Sequence, residues 1–158
     1  MGGLVASWAS LHNNTPWLQT LVAFSHFGGL LTAGGLALAT DRATLRAFKR
    51  DTALRNQHLE EVKAVHHIVV IGLAIVVASG ILLFGADVER FAPAPLFWIK
   101  MLLVVGLLAN GLTMVRVESS LRSQRVGVRR WERLRTCAVA SVALWFTTLL
   151  AGTALSMV

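Results

Sequence analysis

Four uncharged apolar runs, each long enough to cross a bilayer, organise this chain of 158 residues. Residues 1–40 contain no Asp, Glu, Lys or Arg, and the first charge is Asp41. A second run extends from Ala64 to Ala86, a third from Phe91 to Val115 with one charge at Lys100, and a fourth from Thr136 to Val158. A hydrocarbon core of about 30 Å takes about 20 apolar residues at the helical rise. Within it the backbone must satisfy its own polar groups, which a helix does. The pattern predicts an all-α membrane protein, an up-and-down antiparallel bundle of four transmembrane helices. The expected spans are 17–40, 64–86, 94–115 and 136–157, within a single membrane domain covering 1–158. Short connections between successive spans favour that topology.

Charge placement orients the bundle. Residues 41–63 carry six basic side chains (Arg42, Arg46, Lys49, Arg50, Arg55 and Lys63), and residues 116–135 carry seven arginines. Those thirteen of the fifteen Lys/Arg lie in the first and third connections, and only Arg90 and Lys100 lie elsewhere. By the positive-inside rule, 41–63 and 116–135 are expected to be cytoplasmic loops, which leaves both termini outside. The formal net charge of +7 therefore reflects topology and contact with anionic lipid. A nucleic-acid-binding protein is excluded, because its basic residues would not be interleaved with four greasy segments. Hydrophobic residues at 55% and a mean hydropathy of +0.64 agree with a chain whose partner is the lipid bilayer.

The outer arm, 1–16, lacks the basic stretch of a cleavable signal. Its Leu4, Val5, Trp8 and Leu11 have the spacing of a short helix lying on the outer surface. Trp17 and Trp98 are placed as anchors at the outer interface. In the first span Ser25, Gly29, Ala33 and Ala37 recur every four residues, a strip of small side chains that lets helices approach closely in lipid. Cys137 is the only cysteine, so no intrachain disulfide, covalent haem attachment or cysteine metal cluster is expected.

Ionisable groups inside a span cost about 2.5–3.5 kcal/mol each and default to a functional reading. Four residues qualify: His26, His66, His67 and Lys100. His26 lies nine residues past Trp17, hence about 14 Å deep at the helical rise, beside Phe24, Phe27, Gly28 and Gly29. Paired glycines leave room for a flat cofactor next to an imidazole. The alternative for His26 is a neutral ring hydrogen-bonded to another helix, with Thr147 or Thr148 as partners. Lys100 enters from the same outer side, about 7 Å deep, and either snorkels outward or turns its amine towards His26. His66 and His67 lie near the inner end of the second span, and adjacent helical positions point about 100° apart, so at most one of the two faces the bundle centre. His26 and this pair differ in depth by up to about 15 Å, which suits two levels rather than one shared iron. His58 and Glu61 have helical metal-ligand spacing but read as an ordinary exposed pair, and His12 in the arm carries no signal alone.

The motifs Ser25-His26-Phe27 and Phe97-Trp98-Ile99-Lys100-Met101-Leu102-Leu103 resemble the HemJ-type protoporphyrinogen oxidases, four-helix membrane proteins that bind haem b. That resemblance implies a histidine in the first span as haem ligand and a lysine opening the third. The chain also resembles the CopD-like membrane families in His26, Gly34-Gly35, Asp41-Arg42 and Ser79-Gly80-Ile81-Leu82-Leu83-Phe84. The two likenesses cover residues 20–115. Late in the third span the chain has Ala109-Asn110-Gly111 instead of the oxidases' polar aromatics, and it has no tyrosine. Copper chemistry would call for grouped Met and His, and Met1, Met101, Met114 and Met157 are scattered.

The reading that unites these residues is a multi-pass b-type haem protein of the bacterial inner membrane, serving electron transfer or haem-linked redox chemistry. His26 is the expected axial ligand, and Lys100 ligates or meets a propionate. His66 or His67 would hold a second haem iron or a quinone. Other membrane subunits or a second copy are the expected partners. The alternatives are a cofactor-free assembly subunit, a HemJ-type oxidase and a CopD-like copper protein.

Overall fold

The computed structural model describes residues 2–47, 52–123 and 128–157. Among them only helices occur: α1 (Gly2–Asn13), α2 (Pro16–Ala47), α3 (Thr52–Ala86), the short α4 (Val88–Phe91), α5 (Pro95–Ser123) and α6 (Val128–Ser156). Four helical stretches are long and apolar enough to cross a membrane: Pro16–Ala47, Val65–Ala86, Pro95–Leu121 and Arg129–Ser156. Their outward residues are those lipid would solvate. Leu21, Phe24, Phe27 and Leu31 on α2, Ile71 and Ile75 on α3, Leu102 and Val105 on α5, and Phe146 and Leu150 on α6 are all exposed. In water such faces would drive aggregation.

Helices overrun the apolar runs. α2 continues past Asp41 to Ala47, α3 begins at Thr52, and α5 and α6 extend to Ser123 and from Val128. The stretches expected as loops, 41–63 and 116–135, are thus largely helical among the described residues. Nothing in their composition stops a helix, because they contain neither Pro nor Gly before Gly127. The arm is the helix its spacing predicted.

Contacts divide the chain into two compact units. The first comprises residues 1–35 and 68–95, and the second 36–67 and 96–158. In the first, α1 ends where Gln19 Nε2 donates to the carbonyls of His12 (3.1 Å) and Asn13 (3.0 Å), which have no partner within their own helix. Pro16 then opens α2, where its fixed φ and missing N–H cost nothing. The N-terminal part of α2 packs antiparallel on α3. A side-chain carbon added to Gly29 would meet Val76 Cγ2 at 2.9 Å and Gly72 O at 3.1 Å, and one added to Gly72 would meet Ala33 Cβ at 3.0 Å. Gly29 and Ala33 of the small-residue strip thereby form the α2–α3 contact in this unit. Trp8 ties the arm to α3 by donating from Nε1 to Leu82 O at 2.8 Å.

The second unit has the larger core. Met114 and Leu121 of α5 pack with Trp131, Leu134 and Ala138 of α6, and Leu45, Val117 and Cys137 close against them. Opposed pairs such as Gly106–Leu144 and Lys100–Gly152 keep a nearly constant index sum, the signature of an antiparallel hairpin. Asn110 Nδ2 fastens it by donating to Cys137 O at 2.9 Å. The buried positions of α6 (131, 134, 138, 141, 145, 148, 151 and 155) share one helical face.

Candidate functional site

His26 is held by α3. Its Nδ1 lies 3.1 Å from Val76 O and 3.1 Å from Ser79 Oγ. A carbonyl oxygen can only accept, so the contact with Val76 requires the proton on Nδ1. Ser79 Oγ spends its own proton on Ile75 O at 2.6 Å or Val76 O at 3.2 Å, and presents a lone pair to the imidazole. Both partners select one tautomer, with the ring's lone pair on Nε2. The ring lies against Gly80, where a Cβ would stand 3.4 Å from His26 Cε1. Phe27 stands edge-on to the imidazole, with centroids 6.1 Å apart, and at Gly28 an added Cβ would meet nothing within 4 Å. The hydroxyl that meets His26 is that of Ser79. Thr147, by contrast, donates to its own helix at Ala143 O.

A haem-ligating histidine needs a neutral ring whose metal-facing nitrogen carries the lone pair while the other nitrogen donates to a carbonyl or carboxylate. His26 meets the second condition through Val76 O, and the donor set at this level therefore fits one axial ligand. The remaining candidates belong to the second unit. Lys100 is half-buried, and its Cε and Nζ lie 3.6 Å from where a Cβ on Gly152 would stand, so the amine reaches across the α5–α6 contact. His66 is half-buried and His67 exposed, so His66 is the inward member of the pair. The side chains of His58 and Glu61 lie outside the described residues. Among the described residues no three His, Cys, Asp or Glu side chains group closely enough to hold a metal ion by themselves.

Three polar residues matter more in the structure than their sequence context suggested. His12 is buried in the arm. Its Nδ1 pairs with Asn13 Oδ1 at 3.2 Å, while Nε2 has no hydrogen-bond partner. Asp41, which marks the first charge after the first apolar run, is only 2% exposed, with Oδ2 unpartnered. Thr148 is buried with an unpartnered Oγ1, whereas Thr153 bonds back to Leu149 O. The signal for Asp41 was available, because it is the one acidic residue at that end of the apolar run. Its burial depends on helix rotation, which composition does not encode. Comparison with protein-family models, with curated proteins and with solved structures returned no match to this chain.

Proposed function

We propose that this chain is a multi-pass protein of the bacterial cytoplasmic membrane that binds haem b through His26 and serves electron transfer, alone or as a subunit of a larger complex. The four apolar helices supply the membrane part of this reading. The placement of the basic residues supports cytoplasmic connections at 41–63 and 116–135, with both termini outside. One observation carries the haem assignment: an imidazole within a span whose Nδ1 is committed to Val76 O and Ser79 Oγ. That commitment orients the ring and raises the basicity of Nε2, the atom that would hold the iron. Bound haem b supplies one-electron redox chemistry, with a potential set by ligand and burial. The imidazole lies over Gly80, and Ser79 and Val76 fix its tautomer. Within the second unit, Lys100 would serve an acidic group of a bound cofactor, and His66, with His67 beside it, a second haem or a quinone head group. A HemJ-type oxidase and a CopD-like copper protein are alternatives to this reading. Copper handling draws less from the chain, because Met114 belongs to the apolar core.

A second reading is favoured by the same hydrogen bonds. Val76 O and Ser79 Oγ already satisfy the ring's donor, so His26 also suits a purely interhelical role in a cofactor-free assembly subunit. An absorption spectrum of protein purified from haem-supplemented cells separates the two. A Soret band that shifts on reduction supports the haem protein. Well-folded, colourless protein supports the assembly subunit.

A further inference from the structure

The arm holds a titratable ring that the haem reading leaves unused. His12, in the last turn of α1, is only 8% exposed. Its Nδ1 lies 3.2 Å from Asn13 Oδ1, an atom that only accepts, so the ring proton sits on Nδ1. The Asn13 amide is oriented by its other end, where Nδ2 faces Ala86 O at 3.5 Å. That leaves Nε2 with a bare lone pair, buried and without a hydrogen-bond partner. The ring packs on Trp8, with centroids 5.7 Å apart. Trp8 is in turn the link to α3. Its Nε1 donates to Leu82 O at 2.8 Å, and its Cδ1 lies 3.2 Å from where a Cβ on Gly85 would stand.

This seat accepts the neutral ring and penalises the charged one. Protonation adds an N–H and a positive charge at Nε2, where no acceptor meets them. Burying such a group unpaired is costly, and the cost vanishes once the ring reaches solvent. No described acidic side chain bonds to His12 to offset it. Within the first unit, α1 and its part of α2 carry no Asp, Glu, Lys or Arg. Asp87, Glu89 and Arg90, which follow α3, are exposed. The unit's other imidazole, His26, is engaged by Val76 O and Ser79 Oγ. Histidine changes charge between about pH 5 and 8. We propose that His12 is a pH-operated clasp: neutral, it keeps α1 seated on α3, and protonated in mild acid, it releases Trp8 from Leu82 O and Gly85. The seat is therefore complete at neutral pH and lost as the pH falls. Gln19 holds the backbone carbonyls of His12 and Asn13 whatever the ring's charge, so the end of α1 next to α2 stays tied while its earlier turns move. Nothing in this clasp draws on a haem at His26.

The test uses the full chain in lipid nanodiscs, without added haem, its tryptophans replaced by fluorotryptophan. The Trp8 resonance is identified by its loss in Trp8→Phe. Fluorine NMR spectra are recorded from about pH 7.5 to about pH 5, with and without a soluble gadolinium chelate. In wild type the Trp8 signal should shift with the profile of a single proton, gain broadening by the chelate on the acid side, and return when the pH is restored. His12→Gln cannot take up the proton. Its Trp8 signal should hold one position and one degree of broadening across the range, whether or not that variant seats the arm. A wild-type signal that stays still, or that shifts without gaining chelate broadening, means the arm is not released and overturns the proposal. A Trp8 signal that still moves with pH in His12→Gln assigns the change to another group and overturns it equally.

Discussion

Replacing Gly72 by Ala probes a close approach of α2 and α3. A Cβ at that position would lie 3.0 Å from Ala33 Cβ, 3.3 Å from Ala33 N and 3.4 Å from Ala33 Cα. Two of those atoms are backbone, so no rotamer change relieves the contact, and the helices themselves must separate by several tenths of an ångström. Forcing an extra carbon into such packing costs about 1–3 kcal/mol. Set against it is the better helix propensity of Ala, about 0.8–1 kcal/mol. Gly28→Ala provides the control, because a Cβ there meets nothing within 4 Å and only the propensity gain remains. The two variants should therefore differ by about 1–3 kcal/mol, with Gly72→Ala the less stable. Unfolding in mixed micelles by a denaturing detergent, monitored through the helix signal, measures that difference. If Gly72→Ala and Gly28→Ala unfold together, at or above the wild-type midpoint, then small residues do not set the α2–α3 distance and the account of this unit fails.

Two further predictions concern polar contacts. Ser79→Ala removes one of the two acceptors for His26 Nδ1 while sparing Val76 O. It should weaken haem binding by about 10–100-fold with little change in stability, and equal affinities in a haem titration would contradict that. Asn110→Leu deletes the bond to Cys137 O that fastens α5 to α6. Interhelical hydrogen bonds of this kind contribute about 0.6 kcal/mol on average and about 1.7 at most, so a modest fall in detergent unfolding midpoint is expected. A loss far beyond that range would mean Asn110 does more than join two helices.

The spans were legible because the bilayer imposes its length on the sequence. Residues without charge from 1 to 40 leave no other structure for that stretch, and α2 fulfils it. Where the charges begin, the sequence reads as connection, yet α2, α3, α5 and α6 all continue into those segments. Helix formation depends on backbone and side-chain entropy, and Arg, Lys, Leu and Glu favour it whether or not lipid surrounds them. His26 stood out as a polar ring in an apolar run, but its partners did not, since Ser79 and Val76 meet it only through the rotation of two helices about their axes. Asp41 illustrates the same limit. As a letter it marks a boundary, and in the structure it is nearly as buried as Leu134. His66 and His67 are told apart by the same rotation, with His66 turned inward. Lys100 was legible as a charge within an apolar run, but its neighbour Gly152 on α6 was not.

The central claim is that His26 presents Nε2 to a haem iron, and haem titration into the apoprotein in nanodiscs tests it most directly. Wild-type protein and His26→Ala are titrated in parallel, with His66→Ala as a further comparison, and the Soret band is followed to saturation. The account predicts a saturable, stoichiometric rise in wild type that is lost in His26→Ala. Superimposable curves for wild type and His26→Ala, or no saturable band in either, would contradict it.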